Sequence, residues 1–267
     1  MPELPDVETM RRYLQATSLH QQIEEVDVRS EQLLAQTAVE ELKERLIGHS
    51  FNSTRRHGKW LFVALDGDAE AFLVLHFGMT GGLKYFENME EDPEYDRILF
   101  HFASGYHLAY IAMRKLGEVA IVDDVEAFVG KKDLGPDVLD PDLDLSAFKE
   151  VVDDRRVMAK ALLMDQHELA GIGNVYADEI LFQAQVHPRT RINRLSEETL
   201  EQLFGKMKSV LQEAIEHQAH PDRFPAWFLV PHRHGDGTCP RCGAGLERVK
   251  VSSRTSYFCP NCQHKKA

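Results

Sequence analysis

The hydrophobic pattern changes period along the chain. Val7, Met10 and Leu14 recur every three to four residues, which predicts an amphipathic helix over residues 5–15. Pro5 suits its first turn, and Asp6 and Glu8 complement its positive end. From about residue 23 to 123 the pattern breaks into short apolar runs, "IEEVDV", "WLFVAL", "AFLVLHF", "RILFHF", "YHLAYI" and "EVAIV", punctuated by "DGD" and "ASG". Runs of that length between turn residues predict strands, most simply a β-sandwich or barrel. A short helix near 38–46, carrying Val39, Leu42 and Leu46, interrupts them.

The stretch "KKDLGPDVLDPDLDLS" is rich in Pro and Asp, has no period and is predicted to be a linker. Helical texture follows in "VMAKALLMDQHEL" and, after "AGIGN", in "VYADEILFQAQ". The helix of "RLSEETLEQLFGKMKSVLQEAIEHQ" is predicted with Ser196 as N-cap and with Leu200, Leu203, Phe204, Met207, Val210, Leu211 and Ile215 on its apolar face. The predicted fold class is a multidomain α+β chain. An N-terminal β-sandwich domain spans 1–134, a linker 135–149, a helical domain 150–230 and a cysteine-rich ribbon 231–267.

Length and composition agree with this division. The chain has 267 residues, enough for one large domain or two ordinary ones, and 43% are hydrophobic. No apolar run approaches the roughly 20 residues of a membrane span. No cationic, apolar leader opens the chain, so a cytoplasmic location is expected. The net charge of −12 argues against a polyanionic partner until its distribution is considered. Residues 231–267 hold seven Lys/Arg against Asp236 and Glu247, a local +5. Acidic residues gather in "FENMEEDPEYD" and "VLDPDLDLS", so one basic face could meet DNA while acidic loops point away.

Cys239, Cys242, Cys259 and Cys262 are the chain's four cysteines, in two C-x2-C pairs separated by sixteen residues. Each pair aims two sulfurs at one point, which suits a tetrahedral structural zinc site. Two disulfides are the other reading, and nothing suggests the secretion that would favour them. His217, His220, His232 and His234 match no tetrahedral spacing and read as solvated.

Three stretches in order, "PELPDVET", "AGIGNVYADEILF" and a ribbon containing "SSRTSYFCPNCQ", resemble the formamidopyrimidine-DNA glycosylase/endonuclease VIII family of bifunctional base-excision repair enzymes. "HGKWLFV", "LHFGMTGGL", "MRKLGEV" and "DLGPD" fit as well, so the resemblance covers nearly the whole chain. Leu4 is closer to the formamidopyrimidine branch. The resemblance implies removal of an oxidised base from duplex DNA and strand cleavage by β,δ-elimination. It also implies that the helical domain is a helix–two-turn–helix.

The implied nucleophile is the Pro2 nitrogen, freed by removal of Met1. Proline is also common at this position simply because it permits that removal. A free α-amino group titrates near pH 8 and is partly nucleophilic at neutral pH. Attack of a secondary amine on the sugar C1′ gives an iminium ion, an electron sink that permits loss of both flanking phosphates. Glu3 is implied to handle protons at sugar and base. Asp6 stands where the family commonly has glutamate.

A base must be flipped out of the duplex to react. The resemblance assigns Lys59 to phosphate beside the lesion, at the catalytic centre, with Arg55 and Arg56 adding charge outside the motif. Asn174, closing "GIGN", is expected on backbone phosphate, with the following helix presenting unpaired amides to an anion. Arg254 is the ribbon arginine expected to fork onto phosphates. Met79, Arg114 and Leu116 occupy the intercalation positions, Leu116 replacing a usual phenylalanine wedge. Lys115 lies in the same DNA-facing turn, and with Ala112 and Met113 departs from the common "DPRRFG". Met79 and Leu116 would otherwise read as core residues. The interval "EHQAHPDRFPAWFLVPHRHGDGTCP" lacks the Gly/Ser-rich insert that closes over 8-oxoguanine in the formamidopyrimidine branch. An alternative within the same reading is that oxidised pyrimidines, formamidopyrimidines, hydantoins or abasic sites are better substrates than 8-oxoguanine. A non-catalytic damage-binding protein is the alternative. The expected partner is damaged double-stranded DNA, met by a monomer that needs no membrane and no small-molecule cofactor.

Overall fold

A computed structural model describes residues 1–67 and 71–264. The chain divides into two compact units, Met1–Pro2 with Asp6–Asp133, and Glu3–Pro5 with the chain from Leu134 on. Lys265 and Lys266 of the basic tail lie outside the described residues, as does the end of the predicted ribbon domain.

The first unit is a β-sandwich. Helix α1 (Leu4–Thr17) leads into it, and from Asp6 on its periodic residues Val7 and Leu14 are buried in the sandwich core. The strands are β1 (Ile23–Val28), β2 (Phe51–His57), β3 (Trp60–Leu65), β4 (Phe72–His76), β5 (Gly81–Phe86), β6 (Asp96–Phe102), β7 (His107–Ala112) and β8 (Glu118–Val122), with helix α2 (Val39–Leu46) between β1 and β2. They form two four-stranded antiparallel sheets, β1-β6-β7-β5 and β2-β3-β4-β8. The inner faces meet edge to face, with Phe51 of β2 lying 5.6 Å from Phe100 and 6.0 Å from Phe102 of β6.

Helix α3 (Val125–Lys131) was not predicted. It begins at Asp124, whose carboxylate accepts from the Glu126 and Ala127 amides. At seven residues it is too short for a visible 3.6-residue period. It explains why "WLFVAL" is apolar without alternation. Leu61, Val63 and Leu65 face the sandwich core, while Trp60 and Phe62 pack on Phe128 of α3 at 5.0 and 5.6 Å.

The second unit contains α4 (Leu145–Val152), α5 (Ala159–Met164), α6 (Asn174–Gln183) and α7 (Glu197–Glu216), followed by a hairpin of β9 (Glu247–Val251) and β10 (Arg254–Phe258). Ser196 caps α7 by accepting from the Thr199 amide. Leu203, Met207, Val210, Leu211 and Ile215 of its predicted apolar face are buried, and Leu200 and Phe204 pack partly buried beside them.

The stretch read as a linker differs from that expectation. Val138 and Leu143 are buried in the second unit's core, the Val138 amide donates to the Ala170 carbonyl and the Ala170 amide to the Pro136 carbonyl, and α4 already begins at Leu145 behind its cap Asp144. Apolar residues spaced irregularly between Asp and Pro carry no period, yet each fills a core position. The helix predicted in "VMAKALLMDQHEL" is shorter than its apolar run, because the chain turns at Asp165.

Candidate active site and nucleic-acid interface

Glu3 is buried to 2% exposure, and its environment lies within the second unit. One carboxylate oxygen accepts from the Gly173 amide at 2.8 Å and the Tyr176 amide at 3.2 Å. The other accepts from Val175 at 2.8 Å. The donors are the orphan amides at the start of α6, so an acidic side chain caps a helix from 170 residues away in sequence. This corrects the expectation that these amides are left unpaired for a phosphate. The anion they hold is Glu3.

The "GIGN" turn is shaped for this approach. A Cβ on Gly173 would sit 2.4 Å from the Glu3 carboxyl carbon. Gly171 has φ +125°, and a Cβ there would lie 2.6 Å from Leu4. The Leu4 amide donates to the Gly171 carbonyl at 3.0 Å. Gln166 braces the turn, accepting from the Gly171 amide at 3.1 Å and donating to the Ile172 carbonyl at 2.8 Å. Pro2 is covalently next to this anchored residue and is partly exposed.

Asn174 opens α6. Its Oδ1 accepts from Lys160 Nζ at 2.7 Å, and because an ammonium only donates, this contact sets the amide's orientation. With Oδ1 occupied by the ammonium, the Nδ2 group is the end of the amide that remains to donate. Lys160 is fully buried, and the sequence reading did not single it out. A lysine within an apolar helical run is the only signal it offers, and that signal is weak.

In the first unit, Lys59 is buried beside the β2–β3 turn at Gly58, which has φ +56°. His76, also not singled out, feels its charge. Burial, then the Lys59 ammonium, brings the His76 pKa down to about 4, so the imidazole is neutral at pH 7. Its ring lies 4.5 Å from Trp60. The intercalation positions are brought together on two adjoining loops. Arg114 reaches the Met79 sulfur at 3.2 Å, and its amide donates to Thr80 Oγ1 at 3.2 Å. A Cβ on Gly78 would lie 2.3 Å from the Leu116 carbonyl, so the loops touch backbone to backbone. Leu116 and Met113 are 53% and 54% exposed, and Lys115 is held left-handed at φ +48°. Large apolar side chains raised on a turn are available for contact and form no part of the core.

The four cysteine sulfurs lie within 4.8 Å of one another, with Cys239–Cys262 at 3.9 Å and Cys242–Cys259 at 3.5 Å. Zn–S bonds of about 2.3 Å place tetrahedral sulfurs roughly 3.8 Å apart. The set fits one structural zinc, and no other such cluster of His, Cys, Asp or Glu occurs among the described residues. His217 instead pairs with Glu213, and His220 lies near Asp222. Arg254 begins β10, exposed, after a turn in which Ser252 and Ser253 are both left-handed, at φ 47° and 63°.

The interval before the ribbon is held down on the helices. Gln183 donates to the Trp227 carbonyl at 3.1 Å, the Val230 amide donates to Glu179 at 2.8 Å, and the Phe224 and Trp227 rings each pack tilted against Phe228. Burial pushes Glu179 up to about 7. No helix among the described residues is long and apolar enough to cross a membrane.

The chain matches three family models: the formamidopyrimidine-DNA glycosylase N-terminal domain over residues 1–119, the H2TH domain of the same enzymes over 134–224, and the zinc finger found in FPG and IleRS over 237–265. It is 31% identical over 276 residues to the formamidopyrimidine-DNA glycosylase of Listeria innocua, covering 98% of this chain and 100% of that one. Lactococcus lactis Fpg, solved in complex with DNA containing N7-benzyl-Fapy-dG, superimposes with a TM-score of 0.89 at 30% identity, covering 99% of this chain and all of the other. The same enzyme bound to DNA with an abasic site gives a TM-score of 0.88, covering 98% of this chain and all of that one.

Proposed function

The chain belongs to the formamidopyrimidine-DNA glycosylase family, and on that premise we propose that it is a bifunctional DNA glycosylase and AP lyase of base-excision repair. Its partner is damaged duplex DNA. The observation that carries the mechanism is the seating of Glu3 on three amides of α6, directly beside Pro2. A carboxylate so held cannot swing away, and the nucleophile is its covalent neighbour.

With Met1 removed, the Pro2 nitrogen attacks the sugar C1′. The C1′–N bond to the damaged base breaks, and the base leaves with a proton. Opening of the sugar ring gives a C1′ iminium on Pro2. Loss of a C2′ proton into that electron sink expels the 3′ phosphate, and a second elimination expels the 5′ phosphate. Glu3 is the group placed to receive and return protons in these steps. Lys59, Asn174 and Arg254 grip phosphate around the lesion, and Met79, Arg114 and Leu116, with Lys115 beside them, fill and wedge the stack. Zinc on Cys239, Cys242, Cys259 and Cys262 holds the ribbon that presents Arg254 and takes no part in the reaction.

The pinned interval around Trp227 and Val230 favours substrates other than 8-oxoguanine. With no Gly/Ser-rich insert to close over a large everted purine, oxidised pyrimidines, hydantoins and abasic sites are the preferred lesions. The test is borohydride trapping on a duplex with one abasic site, followed by mass mapping. An adduct on residue 2, in protein lacking Met1, is expected. Protein that lacks Met1, binds the duplex and yields no adduct would overturn the lyase reading.

A further inference from the structure

Asp178 is buried to 0% exposure in the middle of α6, and both of its carboxylate oxygens accept more than one hydrogen bond. Oδ1 accepts from Lys160 Nζ at 2.6 Å and from the Ser256 hydroxyl. Oδ2 accepts from the Arg233 guanidinium at 2.8 and 3.0 Å and from the Tyr257 backbone amide at 3.0 Å. Lys160 is equally buried and divides its protons between Asp178 and Asn174. The Arg233 guanidinium also lies over the Tyr257 ring, 5.3 Å from its centroid.

Four segments therefore converge on one carboxylate: α5 through Lys160, α6 itself, the pre-ribbon loop through Arg233, and β10 through both Ser256 and Tyr257. Two of the groups read above as phosphate grips hang from this junction. Asn174 is attached through Lys160. Arg254 is two residues from Ser256 on the same strand and, by the period-two alternation of β10, on the same face. A buried ionic junction adds little net stability over a well-packed apolar one, because desolvation offsets the Coulombic gain. Its directional bonds do something apolar packing cannot, which is to set two elements at one separation and one rotation.

We propose that Asp178 is a positioning residue for DNA recognition, fixing the Asn174 amide and the Arg254-bearing strand relative to each other so that both meet phosphates of one duplex together. The idea rests on the reading of Asn174 and Arg254 as phosphate contacts. Asp178 itself is too deeply enclosed to touch DNA, so its influence has to pass through Lys160 on one side and Ser256 with Tyr257 on the other. Loss of the carboxylate would leave the two grips present but no longer preset.

The test uses the full-length, zinc-loaded protein and a duplex bearing one reduced, unreactive abasic site, with affinity measured across a range of salt. Asn174→Ala and Arg254→Ala are each expected to weaken binding by about tenfold or more. If neither does, the phosphate reading itself fails. Asp178→Asn is expected to lower the salt slope by about one phosphate's share, roughly 0.9 in log–log units. It should also make the Arg254→Ala loss at least about threefold smaller than in the parent, a coupling between non-touching residues. A merely structural role would reduce the folded fraction and leave both slope and additivity unchanged, and that result would overturn the proposal. Ser256→Ala, which removes a single hydroxyl, carries the same double-mutant comparison if Asp178→Asn does not fold. Zinc content is read in every variant, and additive losses in Ser256→Ala protein with its zinc intact would equally reject the idea.

Discussion

The sandwich unit and the helical unit bury charge to different depths. In the sandwich unit the charged groups keep some access to water: Arg29 reaches Asp92 at 2.7 Å and Asp96 at 2.5 Å with the guanidinium 36% exposed, and the more enclosed Arg56 lies 3.4 Å from Glu8 with about a tenth of each side chain exposed. Its centre is apolar, built from Phe51, Leu61, Phe100 and their neighbours. In the helical unit, Glu3, Lys160, Asp178 and Glu179 are all buried to 2% exposure or less. The difference follows from what each must present. Leu116, proposed above as a wedge, rides exposed on a loop of the sandwich unit. Glu3 and Asn174 must be aimed, and aiming requires hydrogen bonds that are not shared with water.

The strongest way to separate the two units is to take away the zinc. Structural zinc sites contribute on the order of 10 kcal/mol to folding. Chelation is expected to cost at least about 100-fold in affinity for an abasic duplex and to open the ribbon to protease, leaving the sandwich protected. A sandwich that unravels with the ribbon would break the comparison. Next in size is Gly173→Ala, whose Cβ would collide with the Glu3 carboxylate. Base release and borohydride trapping should fall by roughly 100-fold or more, the scale of a lost proton-transfer group. Gly82→Ala in the sandwich, where a Cβ meets nothing within 4 Å, should leave both unchanged.

Lys160→Met should destabilise the protein by about 3–5 kcal/mol in urea titrations, because it leaves Asp178 charged, buried and short of a partner. Arg29→Ala, at the sandwich rim, should cost about 1 kcal/mol or less. Equal costs would show that the sandwich rim is as demanding as the helical junction. The subtlest contrast is in pH. Glu179 is pushed up to about 7, so the folded state holds a proton that the unfolded state releases near 4.5. Its contribution is present below about 4.5 and is lost as pH rises through 7. His76 is brought down to about 4, so the unfolded state binds a proton that the folded state refuses between 4 and 6.5. Its contribution is present above 6.5 and is lost as pH falls toward 4. Glu179→Gln and His76→Gln should therefore change the pH slope of the urea midpoint with opposite signs between pH 4.5 and 6.5.

Much of the architecture is local and could be read from neighbouring residues. The periods of α1 and α7, the N-cap Ser196, the turn-punctuated strands and the two C-x2-C pairs each depend on residues within a few positions of one another. Helix α3 and the packed 135–149 segment escaped because neither repeats over two turns of helix. Lys59, Asn174 and Arg254 were reached through motif resemblance, whereas Lys160, Asp178 and His76 stand out only once their surroundings are known.

What the sequence by itself determined is the family, the order of elements and the zinc ligands, since spacing and periodicity are properties of contiguous chain. Only the tertiary structure decided that the α6 amides hold Glu3, that Lys160 turns the Asn174 amide, and that one carboxylate joins α5, α6 and β10. Those bonds link residues from 14 to 173 positions apart. They exist because burial strips water from every alternative partner, and burial is a property of the folded chain alone.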